Sequence, residues 1–322
     1  MSLQFIMGNS GSGKSYCLYD TVVREAIENP DKNYLVIVPE QFTMQTQKDL
    51  CLAHPKGGIM NIDVLSFGRL AYRVFEEVGQ DARVVLDDEG KNLVLRKIAG
   101  ECEKDLKVFK GNLKKQGYIS EVKSVLSEFA QYGVDFERLD DFMKEVPPES
   151  YLHYKLDDIR TIYEKFEEYL SEKYITKEEM LDVLSDAVPY SDILKGSVVA
   201  MDGFTGFTPV QNRLIGELFS VCEKVMITVT MDGRENPYVY EHPYQIFALG
   251  KQMVTSLMKI AGEKKTEIEE PICLFERPVY RFRDCSEMAF LETELFRYSG
   301  AKYNGSCESV SLHEVRSPGK EA

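Results

Sequence analysis

Residues 8–15 of this 322-residue chain read GNSGSGKS, which completes the pattern G-x-x-x-x-G-K-S directly after the apolar run Leu3 to Met7. An apolar strand, a glycine-rich turn and a following helix are the context in which this pattern binds phosphate. The glycines let backbone N–H groups surround the α- and β-phosphates, and the dipole of the following helix favours negative charge. The pattern therefore predicts a phosphate-binding loop, and an ordinary glycine-rich turn is the less favoured interpretation.

The residues of the loop divide into a backbone cradle and two side chains with chemistry of their own. We expect Lys14 to reach the β- and γ-phosphates of ATP, and Ser15 to offer its hydroxyl to Mg²⁺. The full set of predicted nucleotide-binding residues is Gly8, Asn9, Ser10, Gly11, Ser12, Gly13, Lys14 and Ser15.

Composition is that of an ordinary soluble protein, with 43% hydrophobic and 29% charged residues. No apolar stretch approaches the length that crosses a bilayer, and the N-terminal residues form a strand and loop instead of a signal peptide. We therefore expect a cytoplasmic protein without membrane contact. The seven cysteines are scattered singly, which favours reduced thiols over disulfides or a metal site. A net charge of −14 argues against a broad nucleic-acid-binding face, but leaves room for a local channel.

Strand and helix patterns alternate at both ends of the chain, and this alternation predicts an α/β fold with a parallel sheet. The predicted strands are Leu3 to Met7, Tyr34 to Val38, Asp63 to Leu65, Ser197 to Met201 and Lys224 to Thr230. Long amphipathic helical patterns fill the middle, without a strand pattern. We therefore expect residues 1–84 and 190–300 to form the sheet core, and residues 85–189 to form a large all-helical insertion.

A phosphate-binding loop needs an acidic residue at the end of a neighbouring buried strand to hold the Mg²⁺ water shell. Asp202 directly follows the apolar run Val198 to Met201, so it is the candidate, together with Ser15. The run from Asp202 to Gln211 resembles the Asp-Glu-Phe-Gln motif of UvrD-type superfamily 1 helicases. It departs at Gly203, where those helicases carry the glutamate that polarises water, and at Thr205. A helix cap is the alternative role for Asp202.

A third segment, Ser66 to Arg73, resembles the Thr-Phe-His-x-Leu-Ala-x-Arg run of the same helicases, whose aromatic residue holds single-stranded DNA. Loops after strand C-termini are where open α/β sheets bind ligands. The predicted DNA-binding residues, which follow two of the strands, are Gln41, Phe42, Phe67 and Arg69. Phe67 and Leu70 also fit the core face of an amphipathic helix, which is the alternative.

Together, the loop and the segments Val36 to Thr43, Val64 to Ala71 and Met201 to Phe207 resemble the AddB subunit of bacterial AddAB helicase–nucleases. The resemblance implies a RecA-like P-loop core, ATP and Mg²⁺ as ligands, an AddA partner and DNA in double-strand break repair by recombination. AddB proteins continue into a second RecA-like domain and a nuclease domain with an iron–sulfur cluster. We expect residues 301–322 to begin that second domain, with Ser309 to His313 as its first strand, and the chain to stop before the protein does.

Two features argue against ATP hydrolysis without affecting ATP binding. Position 203 lacks a general base, and the segment Met231 to Arg234 lacks the sensor run of an active motor. We expect weak ATP binding and negligible turnover by these residues alone. Two alternatives are a structural arm with a vestigial nucleotide site that binds AddA and DNA, and a P-loop kinase.

Overall fold

The computed structural model describes residues 1–79, 83–113, 115–170, 173–315, 317 and 319. Within them, the strands are β1 (Ser2–Gly8), β2 (Tyr34–Ile37), β3 (Ile62–Leu65), β4 (Val84–Leu86), β5 (Tyr174–Thr176), β6 (Val198–Met201), β7 (Lys224–Thr230), β8 (Glu267–Ile268) and β9 (Ile272–Leu274). The α-helices are α1 (Lys14–Glu28), α2 (Thr43–Ala53), α3 (Phe67–Val78), α4 (Asp88–Glu101), α5 (Gln116–Tyr132), α6 (Phe136–Glu145), α7 (Tyr151–Leu170), α8 (Lys177–Ala187), α9 (Pro209–Val221), α10 (Ala248–Lys264) and α11 (Ser286–Glu294).

Seven of these strands form one sheet in the order β3-β2-β6-β7-β1-β8, with β9 also paired to β1. All pairings between the described strands of this sheet are parallel. Parallel sheets are covered on both faces, so their strands are apolar throughout, and β2 and β6 are buried at every position. The predicted mixed α/β architecture with a parallel sheet is therefore confirmed.

Helices cover the two faces of the sheet. On one face, α1 and α2 pack Leu18, Val22 and Leu50 against the strands. On the other face, α3, α8, α9 and α10 share a larger hydrophobic cluster that includes Leu70 and Leu214. The result is a three-layer arrangement in which every parallel strand ends at the same edge.

Helices α4 to α7 pack around a third hydrophobic cluster, which includes Leu95, Ile119 and Phe166. The block that the sequence predicted as all-helical also contains strands, because β4 and β5 pair in parallel at its base. Each has three residues, too few to show a periodic pattern. Helix α8 also differs from the expectation, since Met180 and Leu184 belong to the cluster of the sheet.

The last described stretch folds back on α11. The Glu287 carboxylate accepts the backbone N–H groups of Glu308, at 3.0 Å, and of Ser309. The described residues from 301 onward contain no strand, so the strand predicted at Ser309 to His313 is not observed. Its apolar residues lie on the surface instead of in a sheet. Among the described helices, none combines the length and apolar character needed to cross a membrane.

Candidate functional site

The glycine-rich loop, residues 8–15, leaves β1 at the carboxyl edge of the sheet and enters α1. Gly13 has a φ of 94°, a left-handed conformation that favours glycine, and Lys14 is the first helical residue. No side chain caps this helix end. The first N–H groups of an α-helix have no partner within the helix, so they remain available to an anion.

Lys14 lies over the loop in a partly buried position. Its Nζ donates to the backbone oxygens of Gly8, at 3.1 Å, and of Asn9, at 2.9 Å. Burial lowers the pKa of Lys14 to about 8, although the charge of Asp202 acts to raise it. The Oγ of Ser12 is buried and has no hydrogen-bond partner among the described residues. An unmet hydroxyl and a poorly solvated ammonium group both favour an anionic ligand.

Asp202 follows β6 at the same edge of the sheet and is 6% exposed. Its Oδ2 accepts the hydroxyl of Tyr19 at 2.8 Å, and its Oδ1 accepts the hydroxyl of Thr228 at 2.6 Å. Only β7 separates β6 from β1, which puts the two strand ends about 10 Å apart. Tyr19 lies one helical turn after Ser15, so the structure brings the predicted Mg²⁺ residues to one region of α1 and the sheet edge.

The next residue, Gly203, occupies the position where the resemblance to UvrD-type helicases would place a glutamate. Gly203 has a φ of 78°. A Cβ at this position would lie 3.5 Å from Cδ of Pro39 and 3.6 Å from Cδ2 of Phe42, which is ordinary contact. The backbone conformation therefore disfavours a glutamate more than the available space does. The described loop after Asp202 carries no carboxylate in that role.

A second buried carboxylate, which the sequence analysis did not single out, follows β7. Asp232 is 2% exposed and accepts hydrogen bonds from Arg234, at 2.7 Å, Arg277, at 2.8 Å, and Arg297, at 2.7 Å. Burial by itself would raise the pKa of Asp232, but the hydrogen bonds from Arg234 and the charge of Arg277 outweigh it and hold the pKa well below its usual range. We call Asp232 and these arginines the arginine cluster.

The arginine cluster reaches the glycine-rich loop through Glu292 of α11. Glu292 accepts from Nδ2 of Asn9 at 2.8 Å and lies 3.6 Å from Nη1 of Arg277. An aspartate within two residues of the end of a buried strand is a signal that Asp202 and Asp232 share. Arg277 and Arg297 are 45 and 65 positions from Asp232 in sequence, so no local pattern connects them to it.

The predicted DNA-binding residues divide into two environments. Gln41 and Phe42 lie exposed in a 3₁₀ turn, Glu40–Phe42, after β2, and Phe42 is 48% exposed. Arg69 is also exposed and forms an ion pair with Glu40 at 3.2 Å. Phe67 differs, because it is only 8% exposed.

Phe67 is held in an aromatic cluster under this edge of the sheet. Its ring centroid lies 5.5 Å from that of Phe204 and 6.4 Å from that of Phe207. Phe204 and Phe207 come from the loop after Asp202. Phe67 therefore packs the start of α3 against that loop. The other three predicted residues, Gln41, Phe42 and Arg69, have exposed side chains.

Fold and site define a mixed α/β protein in which a glycine-rich loop and a buried aspartate meet at the carboxyl edge of a parallel sheet. A family model described as "ADDB, N-terminal" matches residues 5–292. The chain belongs to the AddB family.

Relatives that share one name align along the whole chain. The B subunit of the ATP-dependent helicase/deoxyribonuclease of Lachnoclostridium phytofermentans is 42% identical over 326 residues, which cover 100% of this chain and 28% of the relative. The proteins of that name from Thermoanaerobacter pseudethanolicus and Clostridium acetobutylicum are 36% and 33% identical, each over 98% of this chain and 27% of the relative. The chain thus spans less than a third of the length of these relatives.

Proposed function

We propose that this chain is the ATP-binding N-terminal region of an AddB subunit of a helicase/deoxyribonuclease, and that its sheet is a RecA-like P-loop core. The observation that carries the proposal is that the charge of Asp202 acts on Lys14, 188 positions away in sequence, beside the uncapped end of α1. The relatives' name describes a protein that uses ATP. Our proposal assigns ATP binding to the glycine-rich loop.

In this proposal, the backbone from Gly8 to Gly13 surrounds the phosphates and Lys14 pairs with them. Ser15 and Asp202 supply hard oxygen ligands for Mg²⁺, which prefers such ligands and keeps several waters. The site fits the ion, because Asp202 is a buried carboxylate whose described hydrogen-bond partners are neutral hydroxyls. Mg²⁺ would neutralise charge on the phosphates, and Lys14 and the helix N-terminus would orient them.

Binding without efficient hydrolysis is the expected activity of these residues. A general base within reach of the attacking water accounts for a large part of catalysis, and Gly203 provides none. Glu40, which follows β2, is the acidic residue that we consider as an alternative general base. Its carboxylate forms an ion pair with Arg69. Measurable turnover that Lys14→Ala abolishes would contradict this part of the proposal.

The nucleotide site is tested by titrating a fluorescent ATP analogue into the chain. Lys14→Ala removes the only loop side chain with a positive charge, so we expect its Kd to rise at least tenfold. Lys259→Ala is the matched control, because Lys259 is an exposed lysine of α10. Equal affinity in the three proteins would show that the loop does not bind nucleotide.

The relatives are named as one subunit of a helicase/deoxyribonuclease, and this name describes one part of a complex. We propose an AddA-type helicase as the partner, in the cytoplasm, with the two proteins acting together on broken double-stranded DNA. We assign no residue of this chain to an iron–sulfur cluster, which belongs to the C-terminal nuclease domain in proteins that this chain resembles.

Single-stranded DNA is the second ligand that we propose, at the carboxyl edge of the sheet. Gln41, Phe42 and Arg69 offer an amide, an exposed ring and a guanidinium, the groups that bind and stack nucleotides. Phe67 contributes by holding the loop after Asp202 through the aromatic cluster. The net charge of −14 repels DNA, so affinity depends on these local contacts, and each contact with a phosphate makes the affinity fall with salt.

Phe42→Ala tests this surface, since base stacking contributes about 1–3 kcal/mol and its loss weakens binding roughly 5- to 150-fold. Leu52→Ala is the control, because Leu52 is an exposed apolar residue near the other end of α2. The measurement is fluorescence anisotropy with a labelled single strand at several salt concentrations. Equal losses in both variants would remove DNA from the proposal.

A structural arm is the second candidate. It is favoured by Lys14, whose ammonium group is already bonded to two carbonyl oxygens of its own loop. In that case, no nucleotide binds at any Mg²⁺ concentration, and the chain serves to bind its partner in the complex. No feature of the described residues favours a kinase.

A further inference from the structure

Two buried carboxylates lie just after neighbouring strands of the sheet, and they differ in the charge of their hydrogen-bond partners. Asp232, after β7, is surrounded by the guanidinium groups of Arg234, Arg277 and Arg297. Asp202, after β6, has no ion pair with any residue that the structure describes, and its two oxygens accept from hydroxyl groups. Buried charges are normally paired or coordinate metals. The unpaired charge of Asp202 therefore points to a cation that binds from outside the chain.

The hydroxyl groups form a continuous buried network. Tyr19 of α1 and Thr228 of β7 each donate to one oxygen of Asp202. The Tyr19 oxygen also lies 3.2 Å from the hydroxyl of Thr46 in α2. Since the Tyr19 hydrogen goes to Asp202, Thr46 is the donor in that contact. Burial and then the charge of Asp202 raise the pKa of Tyr19, so the phenol stays protonated and remains a donor.

We infer that Tyr19 is a positioning residue of the Mg²⁺–nucleotide site, and that it acts by fixing the Asp202 carboxylate relative to α1. The inference rests on the proposed nucleotide function. A carboxylate near a metal is usually held by outer partners, whose loss costs about 10- to 100-fold in metal affinity. Tyr19 is suited to this, because it lies on the helix that starts with Lys14 and Ser15. Its bond to Asp202 therefore fixes the distance between the phosphate side and the cation side of the site.

Hydroxyl donors suit this task better than arginine does. They fix the orientation of a carboxylate without cancelling its charge, and each carboxylate oxygen keeps a further lone pair. The charge of Asp202 is felt at Lys14, whose pKa it acts to raise. An arginine at position 19 would remove that influence and would repel a divalent cation.

Tyr19→Phe tests the inference by deleting one oxygen. For each protein, the Kd of a fluorescent ATP analogue is measured in excess Mg²⁺ and in EDTA. The Kd in EDTA divided by the Kd in Mg²⁺ reports the coupling between metal and nucleotide. We expect Tyr19→Phe to reduce this ratio by about tenfold and to leave the Kd in EDTA within about twofold. Thr46→Val should reduce it less, because Tyr19 still donates to Asp202.

Tyr163→Phe is the control, since Tyr163 is a buried tyrosine of α7 whose hydroxyl donates to the oxygen of Val134. If Tyr19 has a packing role alone, Tyr19→Phe and Tyr163→Phe lower the Tm similarly and both keep the wild-type ratio, which overturns the inference. If the unsubstituted chain binds the analogue in neither condition, the proposed function fails, and the inference fails with it. A wild-type ratio of one would overturn the inference while leaving nucleotide binding intact.

Discussion

At the scale of single residues, Lys14 combines a positive charge with partial burial. Burial destabilises its ammonium form, so Lys14 is easier to deprotonate than an ordinary lysine. A bound phosphate restores the charged form by pairing with it. The nucleotide binding that we propose is therefore linked to uptake of a proton wherever Lys14 has lost its own.

The expected result is that nucleotide affinity is constant below neutral pH and falls as the pH rises above about 8, the pKa of Lys14. The loss approaches about tenfold per pH unit, because each complex must bind one proton. In Lys14→Arg the guanidinium stays charged, so its affinity should not change over this range. Titrations at about pH 7 and pH 9.5 make the comparison. A wild-type Kd that is equal at both values would contradict the linkage.

Folding stability should respond in the opposite direction. The unfolded chain keeps the Lys14 proton up to the usual pKa of 10.5, whereas the folded chain releases it near 8. The unfolded state binds more protons in that window, so the Lys14 contribution to the free energy of unfolding rises with pH.

At the scale of elements, the sequence predicted what is long and periodic and missed what is short or remote. The five predicted strands are present because each is an apolar run bounded by turn residues. The two residues of β8 are exposed and one is charged, so only their pairing with β1 reveals them. The sequence left two roles open for Phe67, a DNA contact and a core position. An aromatic residue at the start of an amphipathic helix has the same place in the pattern in both roles.

The residues of the candidate site show the same contrast between local patterns, which a sequence reveals, and remote contacts, which it does not. The glycine-rich loop and Asp202 were predictable, because each depends on residues next to one strand. The arginine cluster was not, because Arg277 and Arg297 reach Asp232 only through the folded chain. Tyr19 was also missed, since nothing in a helical pattern distinguishes a tyrosine that packs from one that donates to a carboxylate.

Glu167 of α7 is partly buried and feels the charge of Glu179 in α8, which makes this part of the fold sensitive to pH. Burial and then the charge of Glu179 raise the pKa of Glu167 to about 7. Folded chains therefore hold a proton on Glu167 between its usual 4.5 and 7, while unfolded chains have lost it. The stability from this group falls as the pH rises through that window, and the full penalty is present above pH 7.

Glu167→Gln should remove the penalty and raise the free energy of unfolding by about 1–3 kcal/mol at pH 8, with little effect at pH 5. Urea denaturation at the two pH values measures this difference. Glu121→Gln, an exposed position of α5, is the control and should have little effect at either pH. A gain that does not change with pH would mean that Glu167 is not protonated in the folded chain near pH 5.

At the scale of the whole molecule, the arginine cluster joins segments that are distant in sequence. Asp232 lies after β7, Arg277 follows β9, and Arg297 follows α11. Glu235 adds a further connection, because it accepts from Lys251 and Arg297 at 2.7 Å each. The cluster therefore holds the last part of the described chain against the sheet edge.

Asp232→Asn should lower the free energy of unfolding by about 2–4 kcal/mol, because it leaves the arginines without their shared carboxylate. The value is below that of a fully buried pair, since Arg234 and Arg277 are partly solvated. Asp186→Asn is the comparison, because Asp186 pairs with Arg213 on the surface and should cost less than about 1 kcal/mol. Similar losses in both variants, measured by chemical denaturation, would show that the cluster adds nothing beyond a surface ion pair.

The position of β1 has a consequence for how the protein is made. Ser2 to Gly8 is translated long before its main partner β7, in which Ser2 faces Lys224. At about 5–20 residues per second, roughly 10 to 40 s pass before that partner exists. During this time Leu3, Phe5 and Ile6 have no neighbouring strand to cover them, and a growing chain must keep them from wrong partners. The glycine-rich loop is thus translated early but acquires its shape late, when the strand beside it is complete.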